Sequence, residues 1–144
     1  MNNNLLHKVQ LSVIIPCFNG TNTLAVQLEA LANQEWSKPW EVIITDNGST
    51  DGSIAIAEKY RHRLPNLQIV DASAKRGASY ARNVGIKAAN SDAFVFCDVD
   101  DKVSSSWLAS VGEALSEHDF ISGPVEFKQL NQTWRVQKQE SIQK

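Results

Sequence analysis

The sequence AFVFCDVDD, residues 93–101, joins a short apolar run to an acidic end. Aromatic and β-branched residues dominate the apolar part, which predicts a buried strand. If strand geometry continues past Cys97, side chains alternate between the two faces, so Asp98 and Asp100 point to the same side with Cα atoms about 6.6 Å apart. The segment therefore predicts neighbouring carboxylates at the end of a strand.

Carboxylates placed this closely favour a bound cation. Two unscreened carboxylates about 5 Å apart, at an effective dielectric constant of about 20, repel each other by roughly 3 kcal/mol. A divalent cation between them replaces repulsion by attraction, because hard cations take carboxylate oxygens as ligands. Residues 98–101 therefore predict a metal site; a solvated acidic turn is the alternative that this segment alone leaves open.

The composition is that of a globular domain and argues against two classes of function. The 144 residues are 42% hydrophobic and 21% charged, and a domain of this length buries about 68–70% of the surface of its unfolded chain. With 14 basic and 16 acidic residues, the net charge of −2 lacks the signature of a nucleic-acid-binding protein. No apolar run reaches the roughly 18–20 residues of a membrane span. Residues 1–8 lack the apolar segment of a signal peptide, so we expect a cytoplasmic protein.

The two cysteines, Cys17 and Cys97, match no zinc or redox spacing. Both fall near predicted strand ends, where small buried thiols are common. We expect both to be reduced core residues, and a disulfide between neighbouring strands is the alternative.

Strands and helices alternate through Leu115. Strands are predicted at four apolar runs: 11–18, where Pro16 ends the strand, 41–45, 67–70 and 93–97. Helices are predicted from 21 or 22 to near 33, from 51 or 53 to before 65, over 78–88, and from 104–106 to 115. Further strands are predicted at 119–123, at 125–127 and within 130–144. The alternation predicts an α/β fold with a mostly parallel sheet and helices on both faces.

Polar, charged and aromatic residues follow each of the first four strands. They are Pro16 to Asn19 after the first, Asp46 after the second, Lys75 to Gly77 after the third, and Asp98 and Asp100 after the fourth. The carboxyl ends of parallel strands meet at one edge of the sheet, where ligands bind. The sequence therefore predicts one crevice lined by an aromatic ring, several carboxylates and one or two cationic side chains.

This crevice suits a pyrophosphate that is held through a cation. No G-x-G-x-x-G follows a strand and no G-x-x-x-x-G-K-[ST] occurs, so the usual dinucleotide and phosphate-loop signatures are missing. Mg²⁺ or Mn²⁺ on one or two carboxylates is the usual bridge to phosphates. Lys75 or Arg76 can add positive charge, Phe18 can stack on a base, and Asp46 can accept a hydrogen bond from a pyrimidine ring.

Three segments resemble successive blocks of the family 2 glycosyltransferases, which have the GT-A fold. They are SVIIPCFNG at 12–20, EVIITDNGSTDGS at 41–53 and KRGASYARNVGIKAANSDAFVFCDVDD at 75–101. The resemblance extends over 11–127 with the blocks in the expected order. It implies a single domain over 1–144, with 1–9 and about 138–144 as tails.

The resemblance implies transfer of a sugar, with inversion, from a nucleotide-diphospho-sugar to a saccharide or lipid-linked saccharide. The implied donor is a UDP-sugar, the cofactor Mn²⁺ or Mg²⁺, and the location the cytoplasm or the inner face of the membrane. Pro16, Phe18 and Asn19 match the nucleotide-contacting turn after the first strand. Asp46 matches the aspartate that binds the base, commonly uracil.

The other matching site residues lie in the third block. Arg76 or Gly77 falls where a loop approaches the nucleotide. Residues 98–100 match the family's DXD motif, so the resemblance implies that Asp98 lies near the ribose and that Asp100 holds the metal bridging the diphosphate. Both are predicted metal ligands, and Asp101 is expected to support the site.

For other residues in the matching blocks, structural roles explain the match as well as or better than ligand contacts do. We expect Asn47, Ser49 and Asp51 to be turn and helix-cap residues. Arg82 and Asn83 match the family's ARN block, but a helix surface or internal hydrogen bonding explains them as well as substrate contact does.

An inverting displacement needs a general base to deprotonate the acceptor hydroxyl. By the resemblance, this carboxylate comes from the second half of the domain, and no acid after Asp101 lies in a matching block. We therefore assign no catalytic residue and expect a donor-binding part that is truncated before the acceptor half. The alternative is a non-catalytic remnant or a nucleotide-binding module.

Overall fold

The computed structural model describes residues 9–64, 66–117, 120–122 and 135–138, and these form an α/β fold. The strands are β1 (Leu11–Cys17), β2 (Trp40–Asp46), β3 (Gln68–Asp71), β4 (Ala93–Phe96), β5 (Phe120–Ser122) and β6 (Arg135–Lys138). The helices are α1 (Leu24–Ala32), α2 (Ser53–Glu58), α3 (Ala78–Ala88) and α4 (Trp107–Glu117). The strand predicted at 125–127 lies outside the described residues.

The strands form one mostly parallel sheet in the order β3-β2-β1-β4-β6-β5. β1 pairs in parallel with β2 and β4, and β2 pairs in parallel with β3. β6 runs antiparallel to both β4 and β5. The predicted sheet is confirmed, and its strand order reverses between β1 and β4, because β2 and β3 lie on the other side of β1.

Helices cover both faces of the sheet, as predicted. On one face, α1, α2 and α4 pack over the larger core, which includes Val13 and Ile15 of β1. On the other face, α3 packs near Ile14, Ile43 and Phe94. Successive residues of β1 therefore enter opposite cores, which explains why this strand is apolar almost throughout.

Helix α3 packs closely on the sheet through small residues. A Cβ added at Gly85 would lie 2.5 Å from Cγ2 of Ile14, and Ala81 is completely buried. Cys17 and Cys97 are buried and free, which confirms the prediction of reduced core thiols. Among the described helices, none is both long and apolar enough to cross a membrane.

Candidate functional site

A crevice opens at the carboxyl ends of β1 and β4, where the strand order reverses. Such a switch point is the usual ligand-binding position in open α/β sheets. The crevice has a volume of about 480 Å³. Its lining comes from the end of β1 and the segment that follows it, the loop after β2, α3 and the turn after β4: Pro16, Cys17, Phe18, Asn19, Thr23, Asn47, Ala78, Ala81, Asp98, Val99 and Asp100.

The crevice brings together most of the residues predicted to bind the donor. Those that line it are Pro16, Phe18, Asn19, Asp98 and Asp100. The remaining three, Asp46, Arg76 and Gly77, lie outside its lining, in segments joined to it by packing or hydrogen bonds.

The acidic turn, residues 98–101, is a closed turn and not the end of a strand. β4 ends at Phe96. The Asp101 N–H donates to the Asp98 carbonyl at 3.1 Å, and the Asp98 N–H donates to Oδ2 of Asp101 at 3.0 Å. The carboxylates still converge, with one oxygen from each of the three aspartates within 4.8 Å of the others. The predicted proximity of the carboxylates is therefore present, but it results from the turn and not from the alternation of side chains along a strand.

The charges of this turn receive little compensation from the described residues. Asp98 and Asp100 are exposed, and the Asp100 carboxylate accepts no hydrogen bond from any described residue. One cation within ion-pair distance is Arg82, whose Nη2 lies 3.9 Å from Oδ1 of Asp98. Burial, together with the charges of Asp98 and Asp100, raises the pKa of Asp101 to about 6, although the Asp98 N–H opposes this shift. Such a set of converging carboxylate oxygens fits a hard divalent cation such as Mg²⁺ or Mn²⁺.

The turn after β1 is held to the loop after β2 by hydrogen bonds. Asn19 has φ of +52°, a left-handed conformation that asparagine tolerates well. Its Oδ1 accepts the Thr50 N–H at 2.8 Å, and its own N–H donates to Oγ of Ser49 at 2.9 Å. The Gly20 N–H donates to Oγ of Ser53 at 2.8 Å. This wall of the crevice is therefore fixed by partners about thirty residues further along the chain.

Phe18, which lines the crevice, forms a stacked pair with Arg76. Phe18 is 43% exposed, and the Arg76 guanidinium lies 3.9 Å from the ring centroid, within the range of a cation–π contact. The next residue, Gly77, has φ of +128°, a conformation that side-chain-bearing residues rarely adopt. The loop after β3 therefore contacts the Phe18 ring through Arg76, next to a backbone conformation at Gly77 that favours glycine.

The loop after β2 is held by Asp46 and Asn47. Oδ1 of Asp46 accepts the Ser49 N–H at 2.9 Å. The buried Asn47 amide donates to the carbonyls of Ala72 and Lys75, both at 2.7 Å. Its oxygen also accepts the Gly77 N–H. These bonds agree with the turn roles expected for Asn47 and Ser49, and they tie the loop after β3 to the crevice.

Two side chains near the acidic turn received no site role from the sequence. Arg82 lies on α3 within ion-pair distance of Asp98, and its place in the ARN block was the available signal. Gln27 lies on α1 and donates from Nε2 to the Asp98 carbonyl at 3.1 Å. Its signal was a polar residue among buried leucines, Leu24, Leu28 and Leu31.

The family model and the similar proteins all indicate the same family. The family model for Glycosyl transferase family 2 matches residues 12–143. The uncharacterized glycosyltransferase YibD of Escherichia coli is 33% identical over 130 residues, which are 88% of this chain and 37% of YibD. The poly(ribitol-phosphate) beta-N-acetylglucosaminyltransferase TarS of Staphylococcus aureus is 33% identical over 112 residues, which are 76% of this chain and 19% of TarS. The chain thus spans well under half the length of these relatives.

Solved structures show the same fold. A structure of Staphylococcus aureus TarS in complex with UDP has a TM-score of 0.69 at 31% identity, covering 78% of this chain and 34% of that one. The mannosyltransferase PcManGT of Pyrobaculum calidifontis, solved with GDP-Man and Mn²⁺, has a TM-score of 0.82, covering 93% of this chain and 46% of that one. Its identity of 19% limits that likeness to the fold. From the family match and the sequence relatives, the chain belongs to glycosyl transferase family 2.

Proposed function

We propose that this chain is the donor-binding part of a glycosyltransferase and holds a nucleotide-diphospho-sugar through Mn²⁺ or Mg²⁺ at the acidic turn. The observation that carries the proposal is the convergence of three carboxylates at the switch point of the sheet. The structures of TarS with UDP and with UDP-GlcNAc, 31% and 32% identical to this chain, support a UDP-sugar as the donor.

Asp98 and Asp100 are the two ligands proposed for the cation, because both are exposed at the crevice. When bound, the cation supplies the positive charge that allows a diphosphate to approach this acidic turn. Asp101 accepts the Asp98 N–H and thereby supports the turn. Arg76 and the neighbouring Gly77 belong to the loop that adds positive charge beside the diphosphate.

The nucleoside is proposed to occupy the wall formed by the turn after β1. The exposed ring of Phe18, which the Arg76 guanidinium also contacts, offers apolar surface for a base. Pro16 near the end of β1 and Asn19 in the following turn lie on either side of it. Asp46 uses Oδ1 for the Ser49 N–H, and its Oδ2 has no hydrogen-bond partner among the described residues. That oxygen can accept a hydrogen bond from the ring N–H of uracil.

Inverting transfer of the sugar is the reaction expected of the complete site. We assign no general base, because the only carboxylates that line the crevice in the described part of the chain are Asp98 and Asp100. The same observation favours a second candidate function, a nucleotide-binding module that does not itself transfer sugar. Release of UDP from UDP-sugars in the presence of saccharide acceptors separates the two, because only the transferase turns over.

Titration calorimetry with UDP tests donor binding. We expect binding that requires Mn²⁺ and that weakens at least about tenfold, or 1.4 kcal/mol, in Asp100→Asn. Asp92→Asn is the matched control, because Asp92 is an exposed aspartate before the same strand, at the opposite edge of the sheet. UDP binding that ignores Mn²⁺, or that Asp100→Asn leaves intact, contradicts the proposal.

A further inference from the structure

Helix α1 carries an amide on its buried face. Leu24, Leu28 and Leu31 are completely buried there, and Gln27 is buried to the same extent, with 0% exposure. A buried amide that lacks hydrogen-bond partners costs free energy, so an amide on an apolar face indicates specific partners.

Those partners are the two ends of the segment that carries the acidic turn. Nε2 of Gln27 donates to the Asp98 carbonyl at 3.1 Å, and Oε1 accepts the Val103 N–H at 3.1 Å. The amide therefore spans the segment 98–103 from its first residue to its last. Val103 is itself buried, so water has little access to its N–H as a replacement partner.

The loop that precedes α1 contacts the same turn from another direction. A Cβ added at Gly20 would lie 2.5 Å from Cγ2 of Val99, so only a glycine fits against this side chain without displacement. Val99 stands between the two proposed ligands, Asp98 and Asp100. Hydrogen bonds of the Gln27 side chain to the backbone of the segment, and packing of Val99 against Gly20, thus hold the turn at two separate places.

We propose that Gln27 is a positioning residue that fixes the backbone of residues 98–103 so that Asp98 and Asp100 present their oxygens to one cation. This inference rests on the proposed function. Mg²⁺ and similar cations demand ligand oxygens at closely defined distances and angles. Groups that orient metal ligands without touching the metal typically contribute 10–100-fold to metal affinity.

A second glutamine provides the control for a merely structural role. Gln34 follows α1 and bridges the next segment, since Nε2 donates to the Ser104 carbonyl and Oε1 accepts the Leu108 N–H. Like Gln27, it bridges a carbonyl and an N–H of one segment, although it is half-buried and its Nε2 also donates to the Ala30 carbonyl. None of its partners belongs to the acidic turn. Loss of either amide should lower stability, whereas only loss of Gln27 should change the cation site.

The test compares Gln27→Met with Gln34→Met, which keep side-chain length and remove the two side-chain hydrogen bonds of Gln27 and the three of Gln34. Mn²⁺ affinity and the electron paramagnetic resonance spectrum of bound Mn²⁺ are measured on the full chain, and urea midpoints report stability. We expect about 10- to 100-fold weaker Mn²⁺ binding and an altered spectrum in Gln27→Met only. Gln27→Asn, which retains an amide but cannot span both partners, serves if the methionine variant does not fold.

The outcomes separate this inference from the function on which it rests. Wild-type Mn²⁺ affinity and an unchanged spectrum in a folded Gln27 variant overturn the positioning role alone. Equal losses of affinity in the Gln27 and Gln34 variants also overturn it, because the loss then follows stability. Absence of Mn²⁺ binding by the wild-type chain overturns the proposed function itself.

Discussion

Two carboxylate sites lie at opposite ends of the same sheet and are built in opposite ways. Glu41, at the start of β2, is only 2% exposed. It accepts hydrogen bonds from the Ser12 hydroxyl, the Asn90 N–H, the Asn90 amide and the Gln68 amide, at 2.6 to 3.1 Å. Asp100, at the other end, is exposed and has no hydrogen-bond donor among the described residues.

The difference distinguishes a structural carboxylate from the carboxylates that we propose as cation ligands. Protein dipoles surround the charge of Glu41, so this residue joins β1, β2 and the loop before β4 without any ligand. The acidic turn gathers three carboxylates and supplies them with few donors, which leaves their charge for a cation to compensate. Removing a carboxylate should therefore cost stability at the first site and binding at the second.

The largest expected effect is that of Glu41→Ala. It removes the common acceptor of four hydrogen bonds, and a hydrogen bond to a carboxylate contributes about 1.5–3 kcal/mol. The Ser12 hydroxyl and the Gln68 amide each keep a second partner, and Asn90 is exposed to water. We therefore expect a loss of about 3 kcal/mol, well below the sum of the four bonds. Urea unfolding measures it. Under conditions where the variant is folded, its Mn²⁺ affinity should equal that of the wild type. A loss below about 0.5 kcal/mol would remove the structural role assigned to Glu41.

The second effect is stabilisation by Mn²⁺, which should depend on Asp100. A ligand at 100 times its dissociation constant stabilises the folded state by about 2.7 kcal/mol. We expect that gain in the wild type and its near absence in Asp100→Asn at the same Mn²⁺ concentration. Without the metal, Asp100→Asn should unfold at or slightly above the wild-type urea midpoint, because it removes like-charge repulsion. A clear loss of metal-free stability would place Asp100 in the same class as Glu41.

The central strands β1, β2 and β4 could be predicted from the sequence because they are largely buried, with core on both faces of the sheet. The apolar run at 41–45 became β2 over Trp40–Asp46, and the run at 93–97 became β4 over Ala93–Phe96. Alternation of strands with helices then gave the parallel sheet, and the carboxyl ends of its strands gave the crevice.

Long-range hydrogen bonds could not be predicted in this way. Gln27 lies 71 residues from Asp98 and 76 from Val103, and nothing local in the sequence specifies that pairing. Glu41 likewise finds Asn90 at a separation of 49 residues. The shape of the acidic turn depends on such contacts. Strand alternation therefore predicted correctly that Asp98 and Asp100 are close together, but not the turn that brings them together.

The third prediction concerns how firmly the exposed turn is held. Gly20→Ala places a Cβ against Val99, and overpacking of this kind typically costs 1–3 kcal/mol, so we expect about 2 kcal/mol by urea unfolding. Val99→Ala in the same chain should recover much of that loss, because the added methyl then gains room. If the double variant is no more stable than Gly20→Ala alone, the contact does not hold the turn.

The smallest expected effect tests whether exposure or hydrogen bonding determines that a carboxylate stabilises the fold. Asp51 is exposed like Asp100, yet its carboxylate accepts hydrogen bonds from Ser53 and Thr21. These bonds hold the pKa of the Asp51 carboxyl well below its usual range, and the bond from the Ser53 hydroxyl contributes most. A depressed folded-state pKa contributes stability above the unfolded pKa near 4, and that contribution is lost as pH falls further. The wild type should therefore exceed Asp51→Asn in urea midpoint by a constant margin from pH 7 to 5, and the margin should shrink below pH 4. A margin that does not change with pH would mean that the Asp51 carboxylate does not stabilise the fold through its charge. Burial, and not the number of hydrogen-bond donors, would then explain why Glu41 is structural and Asp100 is not.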